Sequence, residues 1–379
     1  MPERPLRILG VGDGKSIIFL RWAWRLAERG HEVHIVSDRI TDRPGELDGI
    51  VAHDVRDIGG LSTRIKGLRR WAFAPAIGRL ADGLDMDVVH GHYLLPYGYW
   101  AARSEFHPLV MSPWNTDIFT YGRDRRRGRK WVREAVAAGD RYVVSSIANA
   151  EETVRLGADP AKLERIVWYV DLPPFGPDKR DPGLRARFGW PDDALVVLSL
   201  RNYRENTNLD VLVRAFARAA AEVPSARLVL AARAGELRPQ IEALVLELGI
   251  SDRVAFHFAA PDELPALCAS ADLGVSIAST DATPASMIES MASRLPMVMG
   301  DAITIDEWIT PGEGGEVVGC RDEDALTTAL LALLRDPELR ERYGERNERI
   351  VRERLATPPG EALERLYYDL LDERTAAGD

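Results

Sequence analysis

The chain has 379 residues, 46% of them hydrophobic and 28% charged, with a net charge of −10. At roughly 100–200 residues per domain this predicts two or three domains with the composition of a globular enzyme, and it excludes dominant disorder. No stretch approaches the roughly 18 uninterrupted apolar residues of a membrane span, and two cysteines, Cys268 and Cys320, are too few for a disulfide scaffold or a Cys-rich zinc module. The opening residues Met1 to Arg4 run into a short apolar segment. They lack the long apolar core and cleavage site of a signal peptide, which with the cysteine usage predicts a reducing cytoplasm. Charge is unevenly spread: residues 1–200 carry a net +3 and residues 201–379 a net −13. The acidic total speaks against a dedicated nucleic-acid binder.

In chain order, Leu6–Val11, Val33–Ser37, Val88–His90, Leu109–Ser112 and Tyr142–Ser145 read as strands. Phe19–Arg29, Leu61–Leu84, Gly98–Ser104, Arg129–Gly139 and Ala148–Leu156 alternate with them as helices. The run RDRRRGRKWVR, Arg123 to Arg133, is either a solvated helix face or a patch for an anionic partner such as a membrane surface. Three prolines and a glycine between Val170 and Pro177 mark a linker. Beyond it the alternation starts again, with strands Leu195–Leu200, Arg227–Ala231, Val254–Phe258, Leu273–Ile277 and Met297–Met299. The helices Asn208–Val223, Arg238–Leu248, Pro261–Ala269, Pro284–Ala292 and Glu323–Leu334 belong to this half. A break at Thr357 to Gly360 precedes a last amphipathic helix, Glu361 to Leu371. The predicted organisation is α/β: two Rossmann-like, doubly wound domains, 1–170 and 171–357, facing each other across a cleft, with 358–379 packing back on the first. Ligands of open α/β sheets bind beyond the carboxyl ends of the strands.

Gly10-Val11-Gly12-Asp13-Gly14-Lys15-Ser16 resembles a P-loop, but Leu9 stands where the first glycine is needed. Lys15 likewise occupies the third glycine position of a dinucleotide fingerprint. What remains is a glycine-rich βα turn, either open to a polar ligand or simply tight. His90-Gly91-His92 puts two imidazoles on one strand face, without a third ligand that would complete a metal site. One of them is expected at a strand end lining a cleft, the alternative being a core histidine bonded to backbone. Between Ser279 and Glu289 the chain runs from a strand to a helix predicted to open at Pro284, whose free amides suit phosphate oxygens. Glu289 falls about one and a half turns inside, in reach of a ligand hydroxyl. The plainer alternative makes Thr283 a simple cap.

Together these segments resemble glycosyltransferase family 4. GDGKSIIFLRWAWRLAERGHEVHIVS is similar to its glycine loop, first helix and second strand. DVVHGHYLLPYGYWAA, PLVMSPWNTDIF and IVWYVDLPPF follow in the family's order. STDATPASMIESMASRLPMVM carries its two acids eight apart, Asp281 and Glu289. The resemblance implies a GT-B fold and a retaining, metal-independent transfer of a sugar from a nucleotide-sugar donor to an acceptor hydroxyl. The donor is then a substrate, with no further cofactor. Glu289 would bind the ribose, Asp281 the donor sugar, and Thr283, Pro284, Ala285 and Ser286 the diphosphate. Arg201 matches the arginine that neutralises the diphosphate. Gly12 would close near the phosphate and acceptor side, and His92 and Asp117 would line the N-domain wall of the cleft. The acceptor would be a sugar or a lipid-linked molecule in glycan, glycolipid or polysaccharide assembly, with peripheral contact to the inner face of an anionic membrane.

This chain also departs from the family pattern. No lysine falls near Asn206–Asn208 to partner Arg201, and Arg204 is the stand-in available. Trp114 occupies the position of a family histidine, and Asn115, Tyr169, Ala232, Ala282 and Arg294 occupy those of family glycines. Arg294 would bring bulk where the chain passes close to the site. The rival readings that keep the fold are a nucleotide-sugar epimerase and a catalytically silent, sugar-nucleotide-binding subunit.

Overall fold

A computed structural model describes residues 4–59, 69–124, 126–170, 172–232, 235–281, 283–302 and 304–378, side chains at 69–72, 124, 126–127 and 377 excepted. The chain divides into two compact units. One comprises Met1–Tyr169 with Thr357–Asp379, the other Val170–Ala356.

Among the described residues the first unit holds seven strands: β1 (Arg7–Val11), β2 (Glu32–Ser37), β3 (Ile50–Asp54), β4 (Val88–His92), β5 (Leu109–Ser112), β6 (Arg141–Val144) and β7 (Leu163–Arg165). They form one parallel sheet in the order β3-β2-β1-β4-β5-β6-β7. β1, β2, β4 and β5 are buried almost throughout, as expected of strands covered by helices on both faces. The edge strands β3 and β7 are short and largely uncovered. Leu9, Val11, Val36, Val89 and Met111 pack under Phe73, Ile77 and Trp100 on one side. The helix Ile17–Glu28 buries Phe19, Leu20, Trp22, Ala23 and Leu26.

The closing helix, Pro359–Ala377, belongs to this unit. Its Tyr367 is fully buried, accepting a 2.9 Å hydrogen bond from Trp22 Nε1. Its Glu364 pairs with Arg29 and accepts from His31 Nε2 at 3.1 Å.

The second unit holds β8 (Leu195–Ser199), β9 (Ala226–Ala231), β10 (Val254–His257), β11 (Leu273–Ser276), β12 (Met297–Gly300) and β13 (Gly315–Val318). This sheet is also parallel, ordered β10-β9-β8-β11-β12-β13. The chain winds outward from β8 to β10, then returns to β11 on the other side of β8. In each sheet the order reverses between two central strands, β1 and β4 or β8 and β11, which is where α/β folds bind ligands. No described helix is long and apolar enough to cross a membrane.

Several boundaries differ from the sequence reading. The helix expected over Leu61–Leu84 is described as Arg69–Gly83, and 61–68 lie outside the described residues. Pro284 caps the helix Ala285–Ala292 instead of opening it, because its backbone is still extended (ψ 126°). β3, β7, β13 and the 18-residue helix Pro337–Arg354 have no counterpart in the sequence reading.

Candidate functional site

In the second unit, β8 and β11 pair through Leu273 opposite Val197 and Gly274 opposite Leu198. The loops leaving their carboxyl ends therefore start side by side. Arg201 stands two residues beyond β8, and Asp281 five residues beyond β11. The Arg201 Nη2 lies 2.7 Å from Asp281 Oδ2, and the two side chains keep only 16% and 18% of their surface exposed.

The second loop enters the helix Ala285–Ala292, capped by Pro284 without a side-chain hydrogen bond. The carbonyl of Pro284 accepts from Met287 and Ile288. The amides of Ala285 and Ser286 find no acceptor among the described residues, as the first turn of any helix requires. They sit at the positive end of the helix dipole with half-exposed side chains. Thr283 and Pro284 are buried, and Ala282 lies outside the described residues. Glu289 follows in the second turn, 4% exposed. Beside it the Cys268 thiol is pushed up, first by burial and then by the Glu289 charge.

Arg204 is exposed and lines a groove of about 370 Å³ with Leu209, Asp210 and Arg214, between the helices Leu209–Glu222 and Arg238–Glu247. Within Asn206–Asn208, where the lysine is expected, Thr207 turns its hydroxyl onto the carbonyls of Asn202 and Arg204, at 2.9 and 2.7 Å. Asn208, which sequence reasoning passed over, is 2% exposed and left-handed. Its Nδ2 donates to the Ile277 carbonyl at 2.7 Å and to Ser279 Oγ at 2.8 Å. The sequence reading had it as the first residue of a helix and as part of the stretch Asn206–Asn208 that lacks the lysine; the signal for its role was an asparagine at a helix start.

In the first unit the expected cleft wall is not a surface. His92 is completely buried. It is stacked on His90 at 4.1 Å and edge-on to Phe19, Trp22, Trp114 and Trp168. Neither of its ring nitrogens has a hydrogen-bond partner among the described residues, and burial holds its pKa well below the ordinary histidine range. The correction has a plain cause: four large aromatic rings close around the end of β4. His90 donates and accepts through side chains instead of backbone, with Tyr367 Oη 2.6 Å from Nδ1 and Ser112 Oγ 2.7 Å from Nε2. Its pKa is pushed down by burial to about 3. Both rings are therefore neutral at pH 7.

Asp117 is also fully buried and faces its own backbone. Its carboxylate accepts from the amides of Leu94, Trp114 and Asn115 at 2.8–3.2 Å. Burial raises its pKa, against the opposing pull of these bonds. Gly12 is required by packing: a Cβ there would lie 2.7 Å from the Phe19 ring. Its amide donates to the Val36 carbonyl at 3.2 Å. The structure thus gathers Arg201, Asp281, Thr283 to Ser286 and Glu289 at one end of one sheet, while Gly12, His92 and Asp117 brace the other unit's loops from inside. Among the described residues, no three His, Cys, Asp or Glu side chains are grouped to hold a metal ion.

Known proteins resemble this chain along most of its length. The family model described as Glycosyl transferases group 1 matches residues 181–350, and the one described as Glycosyl transferase 4-like matches residues 7–146. An N-acetyl-alpha-D-glucosaminyl L-malate synthase of Bacillus anthracis is 25% identical over 366 residues, covering 94% of each chain. A D-inositol 3-phosphate glycosyltransferase of Catenulispora acidiphila is 29% identical over 367 residues, covering 88% of this chain and 85% of that one. Among solved structures, a sucrose-phosphate synthase of Thermosynechococcus elongatus superposes with a TM-score of 0.78 at 19% identity, over 98% and 100% of the two chains. Anabaena Alr3699/HepE in complex with UDP and glucose gives 0.79 at 16% identity, over 95% and 99%. At these identities the structural likeness carries the fold, two Rossmann-like domains of the GT-B type.

Proposed function

This chain belongs to family 4 of the glycosyltransferases and is an enzyme of glycosyl transfer; we propose that it moves the sugar of a nucleotide-sugar donor to an acceptor hydroxyl with retention of configuration and without a metal. The observation that carries this reading is the Arg201–Asp281 pair beside the open first turn of Ala285–Ala292. Departure of a nucleoside diphosphate builds negative charge on the leaving oxygens, and a preorganised guanidinium and free amides answer it without reorganising. Asp281 occupies part of the guanidinium fork and leaves its remaining donors for the diphosphate. Glu289, one turn further in, is suited to accept from ribose hydroxyls.

The Anabaena relative's complex with UDP makes uridine diphosphate the first donor nucleotide to try. The names of the curated relatives make L-malate and inositol 3-phosphate the first soluble acceptors to set beside sugar and lipid-linked ones. We place the enzyme in the cytoplasm, with peripheral contact to an anionic membrane through the run 123–133. Arg125 and the side chains of Arg126 and Arg127 lie outside the described residues.

Calorimetry with uridine diphosphate and with UDP-sugars tests the donor site. Glu289→Ala should lower nucleotide affinity by about 1.5–3 kcal/mol, the worth of a hydrogen bond to a charged acceptor, with the fold intact. Unchanged affinity would remove Glu289 from the site. Thr207 and Asn208, in place of a lysine, support a second reading in which the chain binds sugar nucleotides without turning them over. Diphosphate released only when acceptor is added favours transfer; binding with no release under any acceptor favours the silent subunit.

A further inference from the structure

The donor loop of the second unit is tied to its neighbour by Asn206 and Asn208, and Asn208 makes the buried side-chain bonds. Asn208 precedes the helix Leu209–Glu222, and asparagine is a preferred residue there because its side chain can accept from the helix's first amides. Here it makes no such bond. Its amide is spent sideways: both Nδ2 hydrogens go to the loop after β11, at Ile277 O and Ser279 Oγ, and Oδ1 accepts from Arg321 Nη1 at 3.1 Å. Two further bonds join the same loops, Ser279 N to Asn206 O at 2.8 Å and Asn206 Nδ2 to Thr280 Oγ1 at 3.4 Å. The left-handed backbone of Asn208 (φ 51°, ψ 38°) aims the amide this way, and asparagine tolerates that conformation better than most residues.

We infer that Asn208 is a positioning residue of the donor site. It holds the segment 277–281 at the register where Asp281 meets Arg201, ahead of the helix Ala285–Ala292. The inference rests on the donor-site reading above. Asn208 leaves the first amides of Leu209–Glu222 without a side-chain cap, so its side chain serves the loop at the helix's expense.

The test uses the full-length chain and uridine, adenosine, guanosine and cytidine diphosphates as probes, by calorimetry, with ligand-free melting recorded in parallel. Asn208→Gly keeps the left-handed backbone and removes the amide. It should weaken binding of the preferred diphosphate on the order of tenfold, the worth of one or two neutral hydrogen bonds. Ser279→Ala, which leaves the backbone untouched, should weaken it severalfold. Adding Ser279→Ala to Asn208→Gly should then cost nothing further, because the tie is already gone; a purely structural effect on the helix would move melting and leave affinity in place. Equal affinity of wild type and Asn208→Gly overturns the assignment alone, as do fully additive losses. A wild-type chain that binds none of the four diphosphates overturns the donor-site reading and the assignment with it.

Discussion

Arg201 is the residue on which turnover should depend most. Thr207 and Asn208 are uncharged, so in the proposed reaction Arg201 would carry an unusual share of the charge that develops as the glycosidic bond breaks. An interaction that strengthens in the transition state lowers turnover more than it lowers ground-state binding. Arg201→Ala should lose on the order of 10²–10³ in rate, and Arg201→Lys, which keeps charge but not the fork, should be partly active; near-normal turnover of the alanine variant would mean the diphosphate is held elsewhere.

His90 and His92 make a different prediction. Both are neutral when buried, with pKa values below that of an unfolded histidine. The unfolded chain therefore binds protons that the folded chain cannot, and stability falls as pH drops below about 6.5, by up to about 1.4 kcal/mol per pH unit for each ring. Chemical denaturation from pH 7 to 5 should show this slope, and His92→Phe, of similar shape, should flatten it; an unchanged slope would show that His92 is charged or exposed in solution. Arg294 illustrates the limit of reading bulk from sequence. It lies past the carboxyl-terminal end of Ala285–Ala292, away from Ser286, and its Nε donates to Glu348 at 3.0 Å. What glycine would ease there is its left-handed backbone, φ 65°, a strain of about 1–2 kcal/mol.

At the scale of elements, the closing helix is part of the first unit's core. Tyr367 accepts from Trp22 and bonds His90, which stacks on His92. Tyr367→Phe removes a hydroxyl from two buried partners and should cost about 1–3 kcal/mol. For a unit of this size that lowers the melting temperature by about 2–4 °C per kcal/mol. No change in differential scanning calorimetry would mean the helix docks without that bond. The buried central strands were legible because unbroken apolar runs bounded by turns have few alternatives. β3 and β7 were not, since an edge strand buries little: only Ile50 of β3 is buried and no residue of β7. Pro337–Arg354 escaped for a related reason. Its buried residues are Tyr343, Gly344, Asn347 and Val351, so its inner face carries almost no apolar periodicity, although Asp336 caps Leu339 N and Pro337 and Glu338 fill the first turn.

For the whole molecule, charge predicts behaviour that neither unit's packing dictates. The first 200 residues are slightly basic in a chain of net −10, and the arginines of 123–133 are the densest basic run. Weak binding to anionic vesicles should appear at low ionic strength and vanish as salt shortens the Debye length, with Arg125→Glu plus Arg126→Glu reducing it; cosedimentation that detects no binding at low salt would leave the run a solvated face and favour a soluble acceptor. The β/α alternation, two Rossmann-like halves and the acidic pair Asp281 and Glu289 were determined by sequence alone, because hydrophobic period, turn residues and spacing are local quantities. Which way His92, Asp117, Arg204 and Arg294 face, and what Asn208 is bonded to, was decided by tertiary structure. A side chain's partners are set by whatever distant segment packs beside it: Trp168 and Tyr367 come from far along the chain to enclose β4, and the loop at Ile277 reaches back to Asn208. No window of sequence around those residues contains the groups that desolvate, pair or orient them.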